Sequence, residues 1–300
     1  MISIIVPFHN EEENLEELVV RIKETLENKE YEIIFIDDGS FDGSVDVIKT
    51  LQKSATNIRL EQHRKKFGKG QALKTGIKRA KGSILVFMDA DLQDDPADLP
   101  KFLNKIHEGY DLVNGWRKKR RDGLIKTLPS KIGNAIILKH VLQSKYHDIN
   151  CGYKAMRASV LEEIFLYGDN FRFLPIVAEK KGFKTTEVVV DHNPRLHGHS
   201  KFGFFRRFTV FADILTAYFI YRFAEKPLHF FGFIGGALLS VGTVISAYLL
   251  IDRIFFGHLL YRRPAFIYGL VLLIVGIQII MTGIVAELLV YLQKHTKGSS

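Results

Sequence analysis

The chain has one cysteine, Cys151, and one tryptophan, Trp116. A lone thiol excludes an internal disulfide and is compatible with a reducing compartment. No N-x-S/T sequon occurs, and no Gly-Lys-Ser/Thr, which excludes a Walker phosphate loop. Gly68-Lys69-Gly70 opens a G-x-G run, but Leu73 stands where a dinucleotide fingerprint needs its third glycine, which disfavours a nicotinamide dehydrogenase. The most informative absence is charge. Residues 227–251 and 264–286, runs of 25 and 23, hold no Asp, Glu, Lys or Arg. At about 1.5 Å per residue each run spans ~30 Å of hydrocarbon, where one central charge would cost roughly 2.5–3.5 kcal/mol.

The remainder reads as a soluble part. Composition is mixed through residue 200 and mostly apolar from 202 to 292. This predicts a soluble domain at 1–201, an interfacial segment at 202–226, and a hairpin at 227–292 with helices near 227–251 and 264–288. Residues 202–221 are rich in aromatics with Arg206, Arg207 and Asp213 interspersed, the pattern of a helix lying at a membrane surface. The formal net charge of +9 suits phosphates or anionic lipid, and the apolar spans argue against nucleic acid. The run at 2–6 is too short for a signal h-region, so no secretory signal is expected. Arg253, Arg262 and Arg263 lie between the spans. Arg206, Arg207, Arg222, Lys226, Lys294 and Lys297 lie outside them with the basic soluble part. That bias predicts an integral cell-membrane protein with its soluble domain and both termini cytoplasmic.

Within the soluble part, apolar runs at 2–6, 31–36 and 84–88 read as strands, the first stopped by Pro7. Leu15, Leu18, Val19, Ile22 and Leu26 recur at helical spacing, as do Val45, Ile48 and Leu51, and Ala72, Ile77 and Ala80. Alternating strand and helix predicts an α/β fold with a largely parallel sheet, which binds ligands beyond the carboxyl ends of its strands. Three polar clusters fall there, at 7–11, 37–42 and 89–95.

Asp89-Ala90-Asp91 directly follows an apolar strand. Residues two apart in an extended segment face the same way, so the two carboxylates form a hard oxygen site for Mg²⁺ or Mn²⁺ bearing a diphosphate. Gln93, at the next alternate position, adds a neutral oxygen. Asp37-Asp38-Gly39-Ser40 follows the second strand and reads equally as a ribose contact or as turn chemistry. Pro7 and the pair Asn10-Glu11 are open in the same way, since Glu11 also suits a first helical turn. Lys69, between two glycines, can bring an ammonium near phosphate. Arg117 opens the basic run 117–121 beyond a strand end and can fork onto a phosphate. His192, Arg195, His197, His199 and Lys201 form a second basic stretch, read as a phosphate loop or as an exposed linker.

Together IIVPFHNEEENL, FIDDGSFDGS, GKGQAL, MDADLQDDP, DINCGYKAMR, FRFLP and HNPRLHGHSKFG resemble the family-2 glycosyltransferases of the polyprenyl-phosphate type, over nearly all of residues 1–203. The resemblance implies a GT-A (Rossmann-like) domain followed by an interfacial helix and a two-helix transmembrane hairpin. It implies inverting transfer from a nucleotide-sugar, UDP-glucose or GDP-mannose, to polyprenyl or dolichyl phosphate, with Mg²⁺ or Mn²⁺. Pro7, Glu11 and Asp38 would hold the nucleoside, with Asn10, Asp37, Lys69 and Ala90 in the same donor site. Asp89, Asp91 and Gln93 would hold the metal–diphosphate unit. Arg117, Arg195 and Lys201 would face the donor diphosphate and acceptor phosphate, with Ser130 and Lys131 on the acceptor side. This chain departs from the family pattern in two places. Only Lys126 and Lys131 lie where members often carry a further arginine, and Phe171 precedes Arg172 where some have histidine. A processive polysaccharide synthase would carry Q-x-x-R-W, but the only tryptophan follows Gly115. A non-catalytic membrane scaffold would not need Asp89, Asp91 and Gln93 together. The implied partners are a nucleotide-sugar, a polyprenyl phosphate and a bilayer, with a homo-oligomer left open.

Overall fold

The computed structural model describes residues 1–118, 145–164, 170–193, 219, 223, 226–257 and 264–297. Two units are present, Met1–Asp213 and Ile214–Ser300. In the first, β1 (Ile2–Phe8), β2 (Tyr31–Asp37), β3 (Ile58–Gln62) and β4 (Ile84–Phe87) pair in parallel. They are joined through α1 (Glu12–Thr25), α2 (Ser44–Ser54) and α3 (Lys69–Arg79). After α4 (Leu99–His107) come β5 (Leu112–Trp116), β6 (Lys154–Arg157), α5 (Ala158–Glu163), α6 (Leu174–Lys180) and β7 (Thr185–Val189). The sheet order is β3-β2-β1-β4-β6-β5-β7.

The sheet is mixed rather than uniformly parallel, because β6 pairs antiparallel with both β4 and β5. Of the seven strands, β3, β6 and β7 lack the apolar run that marks β1, β2 and β4. They carry Arg59, Glu61, Lys154, Arg157 and Glu187 instead. Central strands covered on both faces need no alternation. Ile4, Val6, Phe8 and Phe35 face a core built with Leu15, Leu18 and Ile22 of α1 and Phe102 of α4. Ile5, Ile34 and Ile36 face the other core, with Ala72 and Leu73 of α3 and Leu174 of α6. Each fully buried side chain of this kind contributes roughly 1.5–3 kcal/mol. Helix α3 lies directly on β1 because Gly76 has no side chain: a Cβ there would meet the Ile5 side chain at 2.4 Å.

Strand β1 runs one residue past Pro7. Its pairing with β2 continues to Phe8↔Asp37, while pairing with β4 ends at Ile5↔Phe87. Proline has no N–H to extend a ladder, so it stands where the β4 side of β1 opens.

The second unit contains α7 (Pro227–Phe256) and α8 (Pro264–Lys297), each opening on proline, which suits the first helical position. Both are long and apolar enough to cross a membrane, and only 17% of the most apolar stretch of each is buried. They pack antiparallel through glycines seven residues apart, a spacing that keeps one helix face in line. A Cβ on Gly235 would meet the Gly276 carbonyl oxygen at 2.7 Å, and one on Gly242 would meet that of Gly269 at 2.9 Å. Glu287, toward the end of α8, accepts the Leu228 N–H at 3.1 Å and so caps α7. Of the predicted interfacial segment 202–226, only Phe219, Phe223 and Lys226 are among the described residues. The Phe219 and Phe223 rings pack against Phe230, with centroids 5.2 and 5.1 Å away.

Candidate active site

A cavity of about 230 Å³ opens beyond the carboxyl ends of β1, β2 and β4. Seven residues expected at the site line it: Pro7, Glu11, Asp38, Lys69, Asp89, Ala90 and Asp91. Phe8, His9 and Lys66 join them without having been anticipated. Lys66 belongs to His63-Arg64-Lys65-Lys66, a basic stretch that was legible as charge but had no motif to mark it. Asn10, Asp37, Gln93 and Arg117 are absent from the lining.

The first two strand ends are stitched together. Asn10, at φ 55°, accepts the Phe41 N–H on Oδ1 at 3.0 Å, and its own N–H donates to Ser40 Oγ at 2.9 Å. Asp37 accepts the Ser40 N–H at 2.8 Å, which is turn chemistry. Glu11 accepts from Asn14 Nδ2 at 2.7 Å at the start of α1. Asp38 is buried and accepts N–H bonds from Phe67 at 2.8 Å and Gly68 at 2.9 Å. Its Oδ1 also lies 3.1 Å from His63 Nδ1. This carboxylate therefore builds the loop leading into α3 as well as bordering the cavity. Gly39 makes the same junction tight: at φ +75° its missing Cβ would sit 2.7 Å from the Lys65 backbone.

The acidic floor follows β4. Asp89 is ion-paired with Lys69, the first residue of α3. Gly152 presses on both, since a Cβ there would lie 2.8 Å from Asp89 Oδ2 and 2.9 Å from Lys69 Nζ. Burial would raise the Asp89 carboxyl, but Lys69 foremost, with Arg117 and Lys154, holds it below its ordinary value. Leu92 turns the chain with φ 58°, so the extended alternation does not carry on to Gln93. The Gln93 N–H donates to Asp91 Oδ1 at 3.3 Å, and its carbonyl accepts from the Asn193 N–H at 3.0 Å. Asp94, unanticipated, is buried with Oδ2 unbonded, and burial with the nearby Asp89 charge pushes it up to about 7.

Behind the floor lies a polar network. The Arg117 guanidinium forks onto Asp148 at 2.7 and 3.1 Å, so its donors are turned to a carboxylate. Despite its burial, the Asp148 bond raises the Arg117 pKa. The Lys154 ammonium is fully buried and donates to Asn114 Oδ1 at 2.7 Å, Cys151 O at 2.5 Å and Ile149 O at 3.2 Å. Burial lowers its pKa to about 8. Only the apolar strand pattern could have flagged Lys154, and a four-residue strand is too short to show one. Ser130, Lys131, Arg195 and Lys201 lie outside the described residues.

The family model described as glycosyl transferase family 2 matches residues 3–165. Dodecaprenyl-phosphate galacturonate synthase of Rhizobium johnstonii is 35% identical over 295 residues, 96% of this chain and 87% of that protein. The chain belongs to glycosyl transferase family 2. The undecaprenyl-phosphate 4-deoxy-4-formamido-L-arabinose transferase of Shewanella sediminis is 29% identical over 293 residues, 95% of this chain and 86% of that one. In fold, this family-2 glycosyltransferase is similar to glucosyl-3-phosphoglycerate synthase of Mycobacterium tuberculosis. The TM-score is 0.54 at 20% identity, over 73% of this chain and 79% of that one. A mannosyltransferase of Pyrobaculum calidifontis, solved with GDP-Man and Mn2+, gives 0.53 at 18% identity, over 73% and 62%. Both likenesses concern the GT-A fold alone.

GT-A enzymes imply a divalent cation, and the donor chemistry of this family-2 site suits one. Asp89 and Asp91 place two carboxylates on one cavity wall. Among the described residues, no three or more His, Cys, Asp or Glu side chains gather around a common metal position. Two carboxylates without an all-protein cage match Mg²⁺-type sites, whose shells substrate phosphates and water complete.

Proposed function

We propose that this glycosyltransferase moves a sugar from a nucleotide-sugar donor to a polyprenyl phosphate at a membrane surface. The observation that carries the reading is a cavity with paired carboxylates and a lysine, on a chain that also bears a bilayer-length hairpin. Similarity to dodecaprenyl-phosphate galacturonate synthase along 96% of the chain supports it. Residues 1–201 form the catalytic domain, 202–226 an interfacial segment and 227–292 the membrane hairpin, with both termini cytoplasmic.

The nucleoside binds along Pro7, Glu11 and Asp38, with Asn10 and Asp37 shaping that wall through the turns they cap. Asp89 and Asp91 would hold Mg²⁺ or Mn²⁺, which when bound would supply positive charge against that of the departing diphosphate. Lys69 adds an ammonium on the same side. Arg117 contributes its positive field through the floor, while Ser130, Lys131, Arg195 and Lys201 receive the acceptor phosphate. A phosphate monoester is anionic at neutral pH, so this chain needs no strong general base and works by positioning and charge. Anchoring confines the domain to the surface where the acceptor headgroup resides, which raises its effective concentration.

The donor sugar calls for a screen. UDP-glucose and GDP-mannose stand beside uronic and amino-sugar donors, because the relatives carry galacturonate and 4-deoxy-4-formamido-L-arabinose in their names. Purified protein in detergent with Mn²⁺ should label polyprenyl phosphate from one donor of that panel. Asp91→Ala should lower the rate by about 10²-fold or more with the fold retained. Undiminished transfer by that variant removes the metal assignment, and no transfer from any donor leaves the scaffold.

A further inference from the structure

We propose that Lys69 competes with the divalent cation for Asp89, and that cation binding releases its ammonium to the donor diphosphate. The inference rests on the nucleotide-sugar reading above. Lys69 has two resting partners: the Asp89 carboxylate, and the face of buried Phe171, whose ring centre is 5.3 Å from the ammonium. Gly152 closes the pair from behind. The Lys69 and Asp89 side chains are 29% and 35% exposed, so the cavity reaches both. The base of Lys69 is fixed, because Gly68 hangs on Asp38 and α3 starts at once, while its four-carbon stem has rotatable bonds enough to re-aim the ammonium.

One carboxylate oxygen cannot serve an ammonium and a divalent cation at full strength, since the two positive charges repel across a few ångströms. Cation binding therefore has to move Lys69 off Asp89. The freed ammonium keeps the Phe171 face on one side and reaches the cavity on the other, where a diphosphate is its complementary anion. Metal and diphosphate then favour each other's binding through Lys69, and the coupling is reciprocal.

Titration of the full chain in detergent with Mn²⁺, alone and with UDP or GDP, tests this. Lys69→Met should bind Mn²⁺ alone about five-fold or more tightly than wild type, and the gain from added diphosphate should shrink by a like factor. Lys69→Arg, which keeps the charge, should retain the weak Mn²⁺ affinity. Lys69→Gln replaces the methionine variant if that one melts early. Unchanged or weaker Mn²⁺ binding in a folded, uncharged variant overturns the proposal. An Asp91→Asn arm separates the two readings. If it loses Mn²⁺ while Lys69→Met matches wild type, only the lysine's role fails. If wild type binds no Mn²⁺, or Asp91→Asn binds it normally, the metal reading itself fails.

Discussion

Gly152 and Lys154 flank one tyrosine in β6 and its approach, and both act on the acidic floor from below. An alanine methyl at 152 would strike the ends of Asp89 and Lys69 rather than any backbone, so the fold should tolerate it. The placement of the Asp89 carboxylate and the Lys69 ammonium in the cavity should not, because misplacing a functional group by about 1 Å costs on the order of 10²-fold in rate. Gly152→Ala is therefore expected to melt near wild type while kcat/KM falls about ten- to a hundred-fold. A wild-type rate would mean that turnover does not depend on where Gly152 lets Asp89 and Lys69 sit. Lys154 gives a pH signature. Its pKa falls from 10.5 to about 8 through burial. Below pH 8 both folded and unfolded chains hold the proton. Between pH 8 and 10.5 the unfolded chain alone holds it, so stability rises with pH by at most ~1.4 kcal/mol per unit. Melts in detergent from pH 7 to 10 should show wild type gaining on Lys154→Met across that window, and a constant difference would refute the shift.

At the scale of elements, the site is a set of loops that strand ends hold in place. Asp38 shows how a residue read as a ligand contact also builds the wall it belongs to. Removing its carboxylate leaves the Phe67 and Gly68 N–H groups without their acceptor and detaches the start of α3. Asp38→Ala should lose roughly 1–3 kcal/mol, more than a surface change would, and raise the KM for the donor above that for the acceptor. Equal rises in both would place the defect elsewhere. Apolar runs gave β1, β2 and β4 and the helical repeats gave α1 to α3, so the cavity's three walls could be anticipated. Asp89 and Asp91 followed from their position after β4. Strands β3, β6 and β7 escaped because their charged residues are satisfied by partners far along the chain, as Lys154 is by Asn114. Gln93 was misplaced because the left-handed turn at Leu92 carries no signature in a leucine.

For the whole molecule, the hairpin depends on close backbone approach along its glycine seam. Gly276→Leu would push a side chain into Gly235 and Leu239, where a Cβ already meets backbone at 2.8 Å. Overpacking of this kind costs roughly 1–3 kcal/mol. The variant should melt earlier in detergent, while soluble-domain binding of UDP or GDP stays unchanged. Orientation is open to labelling: in a Cys151→Ser background, a cysteine at His258 should react with an impermeant maleimide from outside intact cells, and one at Ser300 should not. The reverse pattern would invert the proposed topology.

Hydropathy and local propensity act over a few residues to a single span, and at that range the amino-acid order alone determined the two long apolar helices, the apolar strands and the acidic pair. Other features needed distant segments to meet. Only folding set β6 antiparallel between β4 and β5, turned Arg117 onto Asp148, and brought Gly152 against Lys69 and Asp89. Charge pairing and steric exclusion fall off within a few ångströms, so they become specific only when the sheet has chosen each residue's neighbours.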